Sequence, residues 1–393
     1  MRGDRGQSRG YEASLDVDRL RRGLALLVGW SAPRFVEFLD KAGPLDRWWS
    51  EASPDWDDDR WGFLTAGQRR QLAELRKEDA EDLARCVDEW SGQVIGYGEE
   101  AYPSALDDLS KPPAALHVVG DAGLLDEPSL AVVGSRDIGV SASSSVRRIL
   151  QPIARRGLVI VSGGALGADA VAHRAAVAAG GSTVVVLPAG LRRPSPKSNR
   201  RLFRDVVGAG GLLVSEYPPD SGVRRYHFQR RNSLIAAMSR GVLVLRAGEN
   251  SGTQLTVDAA RRLERPLGAV PGAPDDPLSK GCHEILRRGG RLVARRQDLV
   301  DWWATLAPEQ NLVPEDDDES GGDGGEADTG DWDCEVLECA AELVESDGAF
   351  GLEALARETG KSASELQTVI LGHELSGIVE RAAGGGRFRF VDR

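Results

Sequence analysis

Apolar residues recur at helical spacing in two stretches near the start of the chain. The first contains Leu15, Leu20, Leu24, Leu27 and Val28, and the second contains Leu72, Leu75, Leu83 and Val87. Residues three or four positions apart lie on one face of a helix, so both stretches predict amphipathic helices. Residues 1–90 are therefore predicted to form a helical domain of the SAM-like or helix-hairpin-helix-like type.

The pattern changes to short apolar runs after residue 90. Gln93–Tyr97 and Ala115–Gly120 predict two strands of a short β extension over 91–129. Further strands are predicted at 130–133, 158–161, 183–187, 212–215, 241–246 and 267–270, alternating with helices at 141–156, 168–179, 202–207, 232–239 and 253–263. Strands rich in Val, Ile and Leu that alternate with helices are typical of a parallel sheet covered on both faces. The fold class is α/β, with a Rossmann-like, doubly wound parallel sheet over 130–303.

The last part of the chain contains an acidic stretch and then a new pattern. Residues 314–333 hold ten acidic side chains and no basic one, and we predict a disordered linker over 304–333. Helices are predicted at 335–345, 351–359 and 362–376, and strands at 377–380 and 387–391 around the turn Gly384-Gly385-Gly386. Helices followed by a two-stranded hairpin favour a winged helix over 334–393. A generic helical hairpin is the alternative.

Charge is distributed unevenly along the chain. The net charge of −12 divides into −10 for residues 1–130, +14 for 131–301 and −16 for 302–393. A basic central domain between acidic flanks indicates a polyanionic partner for that domain, although a solvated basic surface paired with the flanks would give the same counts. Four scattered cysteines, a polar N-terminus and the lack of a long apolar run predict a cytoplasmic protein without disulfides or a membrane span.

Loops after the predicted parallel strands carry the candidate chemistry, because ligands of open parallel sheets bind at the carboxyl ends of the strands. Glycine lets the backbone approach a ligand closely and direct N–H groups at an anion. The candidate phosphate-binding residues are Gly134, Ser135, Arg136, Ser162, Gly163, Gly164, Ala165, Gly252, Thr253, Lys280 and Gly281. Arg136 and the N–H groups of Ser162–Ala165 are the strongest of these. The alternative is that the glycines serve only tight turns.

Known catalytic and cofactor motifs are missing from these loops. Gly134-Ser135-Arg136 lacks the further glycines of a dinucleotide fingerprint, and no Walker lysine is present. Asp169 and His173 are four residues apart on one helix face, which is more often a local pair than a catalytic base. We predict no catalytic residue, no cofactor and no metal site.

The segment Arg224 to Asn232 interleaves four arginines with Tyr, His and Phe. Arginine pairs with phosphate, and an aromatic face stacks on an unpaired base, which duplex DNA does not offer. The segment therefore favours single-stranded nucleic acid, with Phe228 stacking on a base and Arg230, Arg231 and Asn232 beside it. An irregular loop with a core Phe and solvated arginines is the alternative.

These motifs together resemble the bacterial DNA-processing protein A family, also called DprA or Smf. The motifs present are Tyr102-Pro103, Pro112-Pro113, Gly134-Ser135-Arg136, Ser162 to His173, Leu187 to Gly190, Ser215 to Pro218, Phe228 to Ala236, Gly252 to Thr256, and Pro271-Gly272 with Gly281. Their order and spacing match over about 200 residues, from Tyr102 to Val300. The sequence departs from the family pattern at Arg193, Gln229, Ser233 and His283.

The resemblance implies a protein that binds single-stranded DNA without sequence preference and forms homodimers through the Rossmann domain. It implies that the protein protects incoming strands, loads the RecA recombinase and displaces single-strand-binding protein in natural transformation or recombination. It implies no catalysis.

Two other classes compete with this interpretation. Nucleotide phosphoribohydrolases of the lysine-decarboxylase-like group share a related fold and the signature PGGxGTxxE. Here Gly252-Thr253 is followed by Gln254, Leu255 and Thr256, so the expected glutamate is missing. The third class is a duplex-binding regulator that uses the winged helix. That domain carries Lys361, Glu365 and Glu374 on or beside its third helix and is strongly acidic, which favours a protein partner instead.

Overall fold

The computed structural model describes residues 20–45, 58–89, 92–249 and 251–310, residues 18, 55 and 56, and short stretches between 336 and 390. Residues 1–313 form one compact unit and residues 314–393 form a second. The predicted linker lies outside the described residues from 311 onward.

The strands of the first unit form a nine-stranded sheet. They are β1 (Gly92–Gly96), β2 (Ala115–Gly120), β3 (Ser129–Val133), β4 (Val159–Ser162), β5 (Thr183–Val186), β6 (Leu212–Ser215), β7 (Gly241–Val244), β8 (Leu267–Ala269) and β9 (Arg291–Leu292). Their order across the sheet is β1-β2-β6-β5-β4-β3-β7-β8-β9. Strands β3 to β9 are mutually parallel, whereas β2 is antiparallel to both β1 and β6. The doubly wound parallel sheet predicted from the sequence is confirmed.

Helices cover both faces of this sheet. They are α1 (20–28), α2 (Ala32–Ala42), α3 (Ala66–Glu74), α4 (Lys77–Glu89), α5 (Val140–Ala154), α6 (Ala168–Ala178), α7 (Arg200–Gly208), α8 (Arg225–Ala237), α9 (Thr253–Arg262), α10 (Lys280–Arg287) and α11 (Arg296–Leu306). Successive strand residues point to opposite faces. Ala131 and Val133 accordingly pack in the cluster of α8, α9 and α10, and Leu130 and Val132 in the cluster of α5, α6 and α11.

Strand β9 and helices α10 and α11 were not predicted from the sequence, and two further differences bear on the site and on the domain limits. Helix α8 begins at Arg225, seven residues before the predicted start at Asn232. Helix α11 runs on to Leu306, and Ala307 is fully buried in the same core as Trp303. The folded part of the first unit therefore extends past residue 303, where the linker was predicted to begin.

The N-terminal helices share a core with the edge of the sheet. Trp30, Phe38 and Trp61 are buried in one cluster, with ring centroids 5.7 Å apart for Trp30–Phe38 and 6.0 Å for Phe38–Trp61. Val94 of β1 and Ala115 of β2 belong to the same cluster. The predicted β extension is thus part of the main sheet, and the helices pack directly on it.

The second unit contains a three-stranded antiparallel sheet. Its strands are β10 (Ala349–Gly351), β11 (Val379–Arg381) and β12 (Arg387–Phe390), in the order β10-β12-β11, with helix α12 (Leu352–Thr359). The predicted middle helix and the two hairpin strands are present, and β10 was not predicted. Most of the predicted helices at 335–345 and 362–376, and the turn at 384–386, lie outside the described residues.

Candidate nucleic-acid interface

The loops after β3, β4 and β7 meet at the carboxyl edge of the parallel sheet. The N–H of Ser135 donates to the carbonyl of Arg246 (2.6 Å), and the carbonyl of Ser135 accepts from Ala168 N–H (3.0 Å). A Cβ on Gly134 would stand 2.7 Å from the Ala168 Cβ, so only glycine lets the β3 loop approach helix α6 this closely. The chain order of the strands reverses between β3 and β7, which is the position where open α/β sheets bind ligands.

Arg231 lies beneath the loop after β4, and this corrects its predicted role. The residue is 6% exposed. Its guanidinium donates to the carbonyl oxygens of Gly163 and Val186 and to Oδ1 of Asn232. A Cβ on Gly163 would lie 1.9 Å from the Arg231 Nη1, so the guanidinium fills the space that glycine leaves. Arg231 therefore supports the loop from inside and does not present its charge to a phosphate.

Asp169 bonds to one of the N–H groups that were predicted to bind phosphate. Its buried carboxylate accepts the N–H of Ala165 at 3.2 Å. Burial raises the pKa of Asp169, and the charge of Arg231 together with the Ala165 N–H opposes that shift. The Ala165 N–H thus has an acceptor inside the fold, and phosphate binding by this group stays a prediction. The Gly163 carbonyl faces Arg231. The C=O and the N–H of one trans peptide point in opposite directions, so the N–H of Gly164 points away from Arg231.

Two further members of the predicted set serve the fold. Arg230 donates to Oε2 of Glu216 through its Nε (2.8 Å) and Nη2, and that glutamate is 5% exposed. The N–H of Gly281 donates to the carbonyl of Ala247 (2.8 Å). The Arg230 guanidinium and the Gly281 N–H therefore donate to acceptors inside the fold, and neither needs a phosphate as its hydrogen-bond partner.

The remaining predicted residues lie at the same edge with different exposure. Arg136 and Lys280 are exposed, and Gly252 is exposed where helix α9 begins. Thr253 and Asn232 are buried, and Asn232 reaches the Gly252 carbonyl at 3.5 Å. Ser162 is fully buried and donates through Oγ to the carbonyl of Val132 (2.6 Å). Arg136 and Lys280 are thus the predicted cations that face solvent.

The arginine-rich segment is helical, which changes the assignment of its aromatic residues. Phe228 lies in helix α8 and is half-buried, with its ring centroid 6.0 Å from the Arg231 guanidinium carbon. Tyr226, in the first turn of the same helix, is 54% exposed. Arg224 and Arg225 beside it are also exposed. Tyr226 lies in the arginine-rich segment that the sequence predicts to bind DNA. Without knowledge of the helix, however, the sequence does not show whether Tyr226 or Phe228 is the more exposed.

Exposed apolar side chains concentrate at the same edge. Five large apolar residues of the described chain are conspicuously exposed, and four of them are Leu166, Val223, Tyr226 and Leu255. Leu166 follows β4, Val223 follows β6, and Leu255 is in the first turn of α9. The composition of the sequence did not reveal this grouping, because it depends on which residues the fold leaves uncovered.

The residues that depart from the family pattern have partners inside the chain. Nε2 of His283 donates to the Gly272 carbonyl (3.0 Å), and Ser233 Oγ donates to the Gln229 carbonyl (3.2 Å). Nε of Arg193 lies 3.8 Å from a carboxylate oxygen of Asp220.

Titratable groups near the edge are held in internal contacts. Nδ1 of His173 lies 2.8 Å from Thr183 Oγ1, and burial lowers the pKa of His173 to about 3. Glu216 accepts from Tyr217 Oη (2.9 Å) as well as from Arg230. No group of three or more His, Cys, Asp or Glu side chains that could hold a metal occurs in the described residues. Among those residues, no helix is both long and apolar enough to cross a membrane.

A nine-stranded, largely parallel sheet with helices on both faces and a ligand edge at its strand reversal defines a Rossmann-like α/β protein, here followed by a winged-helix unit. Residues 93–304 match the family described as DNA recombination-mediator protein A, and residues 344–385 match the DprA winged helix domain. The chain belongs to this DprA family.

Individual relatives agree with this assignment. The chain is 39% identical over 202 residues to DNA processing protein DprA of Streptococcus pneumoniae, a match that covers 51% of this chain and 71% of that protein. It is 31% identical over 330 residues to Protein Smf of Escherichia coli, covering 82% and 84% of the two chains.

Two solved structures are similar to this chain. The X-ray structure of S. pneumoniae DprA superposes with a TM-score of 0.59 at 30% identity, over 70% of this chain and 95% of that chain. DNA processing protein A from Helicobacter pylori, whose structure is described as giving insights into its unique single-stranded DNA binding mode, has a TM-score of 0.50 at 28% identity, over 55% and 97% of the two chains.

Proposed function

We propose that the carboxyl edge of the sheet binds single-stranded DNA without sequence preference. The observation that carries this proposal is that exposed cations and exposed apolar side chains share that edge. Arg136, Arg224, Arg225 and Lys280 supply the charge, and Leu166, Tyr226 and Leu255 supply the apolar contacts. Phosphates attract the first set, and the faces of unpaired bases cover the second set.

A duplex fits this edge less well than a single strand. Duplex DNA presents phosphates on its outside and keeps its base faces stacked inside, so the exposed apolar residues would stay in water. The exposed cations in the described part of the edge are suited to phosphates, which carry no sequence information. Affinity without sequence preference is therefore the expected result.

We further propose that the protein acts as a recombination mediator. It would hold incoming strands, help displace single-strand-binding protein and load the RecA recombinase, and it would work as a homodimer through the Rossmann domain. Membership of the DNA recombination-mediator protein A family supports this role. The acidic second unit would contact a protein, since its charge repels DNA.

We propose no catalytic step at this edge. The two buried carboxylates near it, Asp169 and Glu216, are both engaged with arginine and with an N–H or O–H donor. A general base must be free to accept a proton from its substrate.

The direct test is a binding titration of oligo-dT and of a duplex of equal length over a range of salt concentrations. With about four phosphate contacts, the slope of log K against log salt for the single strand is expected near −3. Equal affinity for the duplex, with no salt dependence, would contradict the proposal. AMP hydrolysis measured alongside tests the competing phosphoribohydrolase class. The time taken for RecA to assemble on strands coated with single-strand-binding protein tests the mediator role separately.

A further inference from the structure

Tyr226 is the exposed end of a row of three rings in contact. Its ring centroid lies 4.5 Å from that of His227, with the planes at 89°. The His227 ring in turn stacks on Tyr217, with centroids 3.8 Å apart and planes 19° from parallel. His227 and Tyr217 are 3% and 9% exposed, whereas Tyr226 is 54% exposed. Two buried rings therefore support one that faces solvent.

Polar contacts anchor the two buried rings, which stack on each other. Nδ1 of His227 donates to the Pro188 carbonyl at 3.0 Å, in the loop after β5. The hydroxyl of Tyr217 donates to Glu216 Oε1 at 2.9 Å, and Glu216 is fixed by Arg230. Because hydrogen bonds hold the rings of His227 and Tyr217 in place beneath it, Tyr226 loses little conformational freedom when a base packs on it.

Exposed cations stand next to Tyr226 in the chain. Arg224 and Arg225 precede it directly and are exposed, and helix α8, which is 13 residues long, begins at Arg225. A base lying on an aromatic face brings its own phosphates with it, and the two arginines are placed to receive them. Phe228, two residues further along the helix, is half-buried, and the cation nearest its ring, Arg231, is buried and bonded inside the fold.

We propose that Tyr226 is a base-stacking residue, on which one unpaired base of the bound strand lies while Arg224 and Arg225 hold the adjacent phosphates. This inference rests on the proposed binding of single-stranded DNA and replaces Phe228 as the stacking residue.

The experiment compares two strands of equal length and charge, oligo-dT and an oligomer of abasic nucleotides, against four full-length proteins. The proteins are the wild type and the variants Tyr226→Ala, Tyr226→Phe and Phe228→Leu. Tyr226→Ala is expected to weaken oligo-dT binding by about 5- to 150-fold and to leave the abasic strand unaffected. Tyr226→Phe keeps the ring and should bind like the wild type, as should the matched control Phe228→Leu. Melting temperatures of the wild type and the two Tyr226 variants are expected to agree, since Tyr226 is exposed.

The outcomes separate this inference from the proposed function. If the wild type binds neither strand, the proposed function fails. If the wild type binds oligo-dT and Tyr226→Ala binds it equally well, or loses affinity for both strands to the same extent, the stacking role of Tyr226 is overturned. Loss of oligo-dT affinity in Phe228→Leu alone would place the base on Phe228 and would also overturn it.

Discussion

Replacing Arg231 by Met should destabilise the protein without removing a DNA contact. The guanidinium donates to Gly163 and Val186 carbonyls and to Asn232, and it faces the buried carboxylate of Asp169. Methionine keeps much of the volume, but it removes the charge that favours the buried Asp169 carboxylate and leaves the Gly163 and Val186 carbonyls without this donor. Removing one of two buried groups of opposite charge costs about 3–5 kcal/mol. That is a large share of the ~5–15 kcal/mol that stabilises a typical fold.

Thermal and urea unfolding measure this cost. For a unit of this size, a loss of 3–5 kcal/mol lowers the melting temperature by roughly 5–8 °C. The matched control is Arg136→Met, because Arg136 is an exposed arginine at the same edge. That variant should melt within about 2 °C of the wild type, since exposed substitutions change stability by less than ~0.5 kcal/mol, but it should bind oligo-dT more weakly.

A double variant tests the pairing itself. Arg231→Met with Asp169→Asn leaves neither charge buried alone, so it should recover part of the stability that Arg231→Met loses. The reasoning is refuted if Arg231→Met melts like the wild type and yet binds oligo-dT poorly. In that case Arg231 would leave its buried site to contact the strand, as the sequence alone had suggested.

Three more predictions follow from exposure and charge. Arg136→Ala should weaken binding to all single strands alike and reduce the magnitude of the salt slope by about 0.7–1, because one phosphate contact is lost; an unchanged slope would count against a phosphate contact. A chain ending at Val313, the limit of the first unit, should bind oligo-dT as well as the full chain or better, because the removed residues 314–393 carry a net charge of −15; a tenfold loss, about 1.4 kcal/mol, would show that the second unit contacts DNA. His117 is 2% exposed, neither ring nitrogen has a hydrogen-bond partner in the described structure, and burial lowers its pKa to about 4. Below pH ~6.5 the His117 ring takes up a proton in the unfolded chain but not in the folded chain. The free energy of unfolding should therefore fall by up to about 1.4 kcal/mol for each unit by which the pH is lowered between 6.5 and 4. His117→Leu should reduce that loss in urea unfolding at pH 7 and pH 5, and an unaltered pH dependence would exclude His117 as its source.

The strands were predictable from the sequence, and the reason is their burial on both faces. Leu130 to Val133 and Val184 to Val186 are apolar throughout, because helices cover the sheet on each side. Such continuous runs stand out against the amphipathic helices between them. The order of the motifs then fixed the positions of the loops, so the edge that carries Arg136 and Gly163 was correctly expected to gather the candidate residues.

The first two turns of helix α8 were not predictable in the same way. Residues 225–232 contain three arginines and few aliphatic side chains, so apolar periodicity gave no signal there. Arginine is seldom buried, and nothing in the segment distinguishes Arg231 from its neighbours. Its burial depends on Gly163, 68 positions earlier in the chain, whose missing side chain provides the space. A contact between residues so far apart in the chain can be read from the fold but not from local composition.

The antiparallel pairing of β2 limits where the chain can be cut. One side of β2 bonds to β1, and the other side bonds to β6, from His117↔Ser215 to Gly120↔Leu212. A fragment that starts at residue 130 would expose the row of unpaired N–H and C=O groups along β6. Uncovered edges of this kind pair with other chains and promote aggregation. The smallest soluble fragment of this protein therefore has to begin before Gly92, even though every candidate DNA-binding residue follows residue 130.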